Sequence, residues 1–429
     1  MTAEPTTADV PEARPTRPRR TWRQFSLRTL LLAMLVLSVC FALFAWRLQR
    51  AREQAAAVAT IRKLGGKVEY EYKFDPVTHH WRSKLKSPIP SWLLDWLGVD
   101  FFHEVTNSTM TSRQPESAAE VRAYWSAISQ LLRIEHLQTE GKWVDGRTTT
   151  EAMRHHNHLR ELELMYGNLS GRDLEPLSSL KNLETLYLDR NPIGDDGAKH
   201  LASLPKLKAL TLGHTEVADA CLEALATNQS LEALRLGSTK VSDRGVAQLT
   251  KLTKLKTLGL SGPRITDESL RELAKLKELD FLSLFGTDIS DEGLAQLAPL
   301  TKLQTLDVQH TRVSGAAFQA LQSLVNLEHL QLGGDQMTDE GALRAMQLPR
   351  LKHVDFDGAP LTMESLGRIK WPSTLETISL SGTGLTDDGL MRLVDCPNLR
   401  GVTLEQTQVT GEGIRRFQQA RPGVVIRGP

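Results

Sequence analysis

The sequence predicts an α/β fold: a right-handed solenoid with a parallel sheet on its concave face and helices on its convex face. One transmembrane helix and a small α+β segment precede it. Three observations carry this reading. Leucine recurs every 24 residues at Leu159, Leu183, Leu207, Leu231, Leu255, Leu279, Leu303, Leu327, Leu351, Leu375 and Leu399 without a slip. Each is followed by a strand-like alternation and then by apolar residues at helical spacing. Far upstream, residues 29–46 form an eighteen-residue run without a charge.

Taken in chain order, residues 1–24 read as a disordered basic tail. They are rich in Pro, Thr, Ala and Arg and poor in large apolar side chains. Residues 25–46 read as the transmembrane helix. The uncharged run spans roughly 27 Å at helical rise, slightly short of a hydrocarbon core of ~30 Å. Arg28 and Arg47 can snorkel to the interface, and Trp22 and Trp46 suit interfacial belts. A cleaved signal peptide is the rival reading; its hydrophobic region is shorter and ends in a small-x-small site, and no clean site follows here. Arginines on both flanks leave little charge contrast. The short tail crosses a membrane less easily than it stays inside, which places the N-terminus in the cytoplasm and the repeats outside.

Residues 47–133 read as a juxtamembrane helix and a small α+β capping segment. AREQAAAVATIRKL is a helix pattern ended by Gly65 and Gly66. KVEYEYKF alternates as a half-buried strand. SWLLDWLG, 91–98, reads as a short helix capped by Ser91. Ser117 and Glu120 form a capping-box signature ahead of another helix.

Residues 134–429 are the repeat array, with one degenerate repeat at 134–158, eleven regular ones, and a closing cap at 422–429. Each regular repeat reads LxxLxLxx(T/N)x(I/V/L)(S/T)DxGLxxLxxLxx. The LxLx core is a strand with its leucines on one face. One strand and one helix cannot enclose a core. Burying about six apolar side chains at ~1.5–3 kcal/mol each does not cover ordering 24 backbones at ~1–2 kcal/mol each. Stacked copies share apolar faces, and the balance shifts towards folding.

Within this frame the carboxylates of ISDEGLAQL, 289–297, begin a helix rather than form a catalytic pair. Ser290, and Thr338 one clause later, read as N-caps, with Asp291 and Glu292 in a first turn where the helix dipole favours negative charge. Aspartate fills the slot at 195, 219, 243, 267, 291, 339 and 387. The glycine two places on, as in Gly293 and Gly341, permits close packing between turns.

The LxxLxLxxT frame resembles that of leucine-rich-repeat proteins. Thr215, Thr239, Thr287, Thr311, Thr383 and Thr407 stand where asparagine is usual, and Asn191 keeps the family residue. The helical half is similar to the ribonuclease-inhibitor-like and cysteine-containing subtypes. The whole arrangement resembles bacterial proteins with one membrane helix, an AIRKLGG-type linker and such repeats. The resemblance implies a curved solenoid that binds macromolecules, usually proteins, on its concave sheet, and it implies no chemistry.

The candidate contact residues are therefore the outward-facing strand positions. Eleven strands at ~4.8 Å give a face roughly 50 Å long. Most of it is small or polar. Tyr187, Arg235, Phe281, Phe285, Asp307, His310, His329, Gln331, His353 and Asp355 are the exceptions and the predicted protein-binding surface. His329 and His353 are expected to be cross-strand neighbours. Two histidines lack the third fixed ligand of a zinc site, and a second cluster at His155, His156 and His158 is no stronger, so no metal is expected. Lys plus Arg total 52 and Asp plus Glu 51, for a net charge of +1, which gives no reason to expect nucleic acid. Cys221 and Cys396 lie seven repeats apart, too far to bridge. No phosphate loop, nucleophile elbow or metal helix motif occurs, and no cofactor is expected. The alternative to a binding module is an enzyme or sensor with its site in 65–133, around Asp75, His79, His80 and Glu104. The plainer reading of those four is a solvated loop.

Overall fold

The structure is a computed structural model that describes residues 27–75, 80–82, 85–111 and 113–428. The basic tail falls outside them. The chain divides into two units, Met1–Ala51 and Arg52–Pro429. The described part of the first unit belongs to helix α1 (Leu27–Lys63), every residue of which from 27 to 46 is exposed. Among the described residues α1 is the one helix long and apolar enough to cross a membrane, a test that a signal sequence also passes. It stops at two glycines. Gly65 takes φ +93°, and the Gly66 N–H returns to the Ile61 carbonyl at 2.9 Å.

Within the second unit, Ala57, Val58, Ile61 and Leu64 of the last helical turns are buried at helical spacing and join the main core. Strand β1 (Lys67–Tyr70) is shorter than the alternation predicts. Its register slips between Glu69 and Tyr70, residues 71–73 tighten into a 3-10 turn, and β2 (Phe74–Asp75) leaves to pair with β3 (His80–Trp81). Helices α2 (Ser91–Leu97) and α3 (Val99–Phe102) follow. Ser91 is the first helical residue and not the cap. Pro90 holds the cap position, and its carbonyl accepts from Leu93 and Leu94. Before α4 (Ala118–Ile128), Ser117 accepts the Glu120 N–H, but the Glu120 carboxylate returns to the Glu116 N–H at 2.9 Å. Only half of the expected capping box forms.

A fifteen-stranded sheet runs through the described residues of this unit. β1 lies antiparallel to β4 (Val105–Met110), and every later pair is parallel. β4 pairs with β5 (His136–Glu140), which pairs with β6 (Glu161–Met165). β4 and α4 thus make a turn of the solenoid that the leucine count does not contain. The count misses it because the buried Ser108 stands opposite Leu137, where later repeats carry leucine, and because its period is 29 residues rather than 24. From β6 the strands follow the 24-residue grid: Thr185–Tyr187, Ala209–Thr211, Ala233–Leu236, Thr257–Leu260, Phe281–Ser283, Thr305–Asp307, His329–Gln331, His353–Asp355, Thr377–Ser379, Gly401–Thr403 and the closing Val425–Arg427. The repeat leucines, from Leu159 through Leu279 to Leu399, are all buried in one continuous cluster.

The opposite layer is less regular than expected. Several repeats carry α-helices of five to seven residues, whereas Gly171–Ser179 and Ala316–Ser323 are 3-10. The first contains Pro176. The second lacks the DxG clause. The acids of the clause occupy the first helical turn as expected, Asp291 and Glu292 among them, but helices this short have little dipole to offer, and the first acid does more. Asp267 accepts the backbone N–H and the hydroxyl of Ser290, in the next repeat, at 2.7 and 2.6 Å. Asp219 does so with Ser242, Asp243 with Thr266, Asp291 with Ser314, Asp339 with Thr362 and Asp387 with Thr410. Ser290 and Thr338 are N-caps as expected, the Ser290 oxygen accepting the Glu292 N–H and that of Thr338 the Gly341 N–H. A β-carbon on Gly293 would collide with the Asp267 carboxylate. At the same place in the preceding repeat, Ser269 instead donates its hydroxyl to Asp243.

At the head of the strands, Asn191 bonds across repeats, accepting the Leu169 N–H and donating to the carbonyls of Leu164 and Leu188. The threonines in its column bond back to their own turn, Thr215 to the Leu212 carbonyl and Thr287 to that of Leu284. A hydroxyl is too short to reach the neighbouring loop.

Candidate functional site

Strand pleating turns alternate residues outward, and strict register aligns them into rows. Glu163 pairs with Tyr187, Tyr187 with Thr211, and Thr211 with Arg235; Ser283 pairs with Asp307, Asp307 with Gln331, and Gln331 with Asp355. The predicted contact residues all lie on this face or at its rim, but they do not form one patch.

Tyr187 sits with the acids of the first strands. Burial pushes its hydroxyl pKa up, and Glu161 and Glu163 add to the effect. Glu163 is itself pushed up to about 7. Burial is the main cause; the Gln138 amide opposes it, and Glu140 and Glu161 reinforce it. The middle group joins Arg235 to Phe281, with the guanidinium 5.6 Å from the ring centre, and Phe285 to His310, whose rings meet edge-on at 5.0 Å. Phe285 is 44% exposed. A trough of about 440 Å³ runs between Arg235 and the two phenylalanines over a floor that includes Gly237 and Gly259.

The third group is His329, Gln331, His353 and Asp355. The imidazoles of His329 and His353 stack at 4.3 Å and 14°, and His353 bonds to the Thr377 hydroxyl at 2.7 Å. Burial, then His329, holds His353 below the usual histidine range. Burial holds the Asp355 carboxyl above its usual range. A groove of about 470 Å³ extends from these residues to Arg400 and Arg427. Asp307 is 8% exposed and accepts the Ser283 hydroxyl, so it supports the face rather than presenting a free charge.

One feature of the face escaped sequence reasoning. Residues 166, 190, 214, 238, 262, 286, 310, 334, 358, 382 and 406, on the same 24-residue grid, all have positive φ. Five are glycine. Tyr166, Arg190, His214, Ser238, His310 and Gln406 are not, and hold φ between 54° and 58°. Such a conformation costs an L-residue roughly 1–2 kcal/mol. The glycines recurring in that column were the legible signal.

The family described as "Leucine-rich repeat region" matches residues 158–422, well over half of the chain. The chain belongs to the leucine-rich-repeat family. Among solved structures it is similar to an internalin (inlF) of Listeria monocytogenes, at 22% identity and a TM-score of 0.51, over 70% of this chain and 82% of that one. A leucine-rich-repeat protein of Leptospira interrogans is 16% identical, with a TM-score of 0.45, over 74% of this chain and 100% of that one. The first likeness is one of fold. No curated protein matches.

Among the described residues no group of three His, Cys, Asp or Glu side chains is placed to hold a metal ion. His156 is 1% exposed with its ring nitrogen 3.0 Å from the Ile128 carbonyl, and burial lowers its pKa. Cys221 and Cys396 are buried free thiols, pushed up by burial to about 12 and about 11. Of the four residues in the enzymatic alternative, His79 and the side chains of Asp75 and His80 lie outside the described residues, while the Glu104 carbonyl accepts the Glu71 N–H. Nearby, Gln54 donates to Asp100 and to the His103 carbonyl, and Tyr70 donates to Asp100, each within 3.0 Å. These bonds hold the cap together.

Proposed function

We propose that this leucine-rich-repeat protein is a membrane-anchored binding or scaffolding module of the cell envelope, tethered through residues 25–46 and using its sheet face to hold a protein partner. The observation that supports it is the middle of that face. Phe281, Phe285, Arg235 and His310 stand out from an otherwise small and polar surface beside an open trough. An exposed Phe285 and a half-buried Phe281 beside an arginine fit the composition of protein contact sites. The uncharged run 29–46 of α1, exposed throughout, supports the tether.

A photo-crosslinking residue placed at position 281 or 331 in cells, with one at Lys302 as control, tests the face. Partners captured by the face and not by Lys302 are expected, and Phe281→Ala with Phe285→Ala abolishes their capture from position 331. Equal capture at all three positions would overturn the reading. Resistance of the chain to alkaline extraction and an intact N-terminus by mass spectrometry are expected of the tether. A reporter after Pro429 that works only in the cytoplasm would overturn the proposed orientation.

A further inference from the structure

Four of the six non-glycine residues with positive φ are consecutive in the repeat series: Tyr166, Arg190, His214 and Ser238. Three of them touch. The Arg190 guanidinium lies 5.3 Å from the Tyr166 ring centre, and its Nη2 is 3.4 Å from His214 Nε2. Glycine serves the same turn elsewhere without strain, so local structure does not require these side chains. Strain kept where it can be avoided is a mark of use.

The charges point the same way. Cations in the column ahead of the strands reach a glutamate one repeat earlier, Lys208 to Glu184, Lys256 to Glu232 and Lys352 to Glu328 at 2.7 Å and Arg400 to Glu376 at 3.2 Å. No such pair with Arg190 or Arg235 occurs among the described residues; Arg190 meets Tyr166 and His214, and Arg235 meets Phe281. The nearby Asp189 carboxylate is bonded into its own loops, accepting the Thr211 hydroxyl and the Gly213 N–H. Arg235, held over Phe281, lines a trough with a glycine floor together with His214 and the loop-bonded Asp189, and Arg190, held over Tyr166, continues the strip through its contact with His214.

We propose that the strip of Tyr166, Arg190, His214 and Arg235, closed by Phe281 and Phe285, docks an extended acidic segment of a partner protein. The proposal rests on the protein-binding reading of the face and narrows it. Carboxylates meet the guanidinium groups, and apolar side chains between them lie against the phenylalanines. From Tyr166 to the phenylalanines the strip crosses six repeats, about 24 Å at ~4.8 Å per strand, which is the length of about seven extended residues. An acidic polysaccharide would use the arginines and leave the phenylalanines idle.

The test uses the full chain in detergent micelles and a fluorescein-labelled decapeptide of alternating Glu and Leu, read by anisotropy. Its Gln-for-Glu counterpart and heparin are the comparison probes. The Glu peptide is expected to bind, more weakly as salt rises, and the Gln peptide is not. Arg190→Gly is expected to weaken binding by about tenfold while leaving Tm unchanged or higher, a combination that a merely structural arginine would not give. Arg235→Ala, at a position without backbone strain, is expected to weaken binding similarly. Equal binding of the two peptides, binding of heparin alone, or full binding by the Arg190→Gly/Arg235→Ala double variant overturns the proposal. If neither peptide binds while cellular crosslinks at position 281 persist, the acidic strip is wrong and the protein-binding face stands.

Discussion

Asp267 and Ser290 are 23 residues apart, yet the carboxylate of the first accepts two hydrogen bonds from the second, at 2.7 and 2.6 Å. Acids that open a helix are therefore also joints between successive repeats. The Ser290 hydroxyl donates to Asp267 and accepts from the Glu292 N–H, so one side chain both receives the joint and caps its own helix.

Loss of a joint is expected to cost stability locally. Asp267→Ala leaves the Ser290 N–H without its acceptor and should destabilise by about 1–3 kcal/mol. Glu292→Gln, exposed in the same turn, should stay within about 0.5 kcal/mol. Urea denaturation of the two variants side by side measures the difference.

Gly293 is the companion of that joint. Gly293→Ala is expected to destabilise by about 1–3 kcal/mol, because the new methyl meets the Asp267 carboxylate. Gly293→Ser should cost less than the alanine, since Ser269 shows a hydroxyl donating to Asp243 at the same place. Thermal midpoints in the order wild type, serine, alanine check it.

Gln406 offers a control for backbone strain away from the acidic-segment strip. It holds φ +55°. Gln406→Gly is expected to raise stability by about 0.5–1 kcal/mol, the relief of strain less the entropy that glycine loses on folding. A lower Tm for this variant would show that the turn is not strained.

The Glu163 carboxyl, raised to about 7, makes stability depend on pH. Between its unfolded value near 4.3 and about 7 the native state binds more proton than the unfolded one. Its contribution is thus present at low pH and is lost as pH rises through that window. Glu163→Gln should flatten the fall, so that the variant gains on the wild type at pH 8 and not at pH 4. Tm measured across pH 4–8 is the readout.

The regular period made the array legible, since Leu282 or Leu306 can be assigned to the core from spacing alone, and the register of the face rows follows from it. Three things were not legible. The turn built on β4 lacks the leucine marker at Ser108. The partner of Asp267 lies one period away, and residue type alone does not distinguish a helix start from a joint. In the positive-φ column the recurring glycines such as Gly286 are a readable sign, but the strain at Arg190 shows only once the chain has coiled, since the two residues share nothing in composition. Along the candidate face the residue types were readable, but not their division into three groups, because Asp307 turns its charge to Ser283.

The joints also have gaps. Position 171 is glycine at the array's entry, and further on position 315 is glycine and position 363 methionine where the clause calls for aspartate. Across the gap at 315 Thr338 leans on the Ser314 carbonyl, and across that at 363 the Thr386 hydroxyl meets the Met363 sulfur at 3.2 Å. A coil held by nearest-neighbour contacts opens where those contacts are weakest. The molecule consequently has built-in fault lines between residues 315 and 386. Amide exchange on the folded protein should loosen there first, and a trace of protease should shed the carboxy-terminal block whole before it nicks the tied turns upstream.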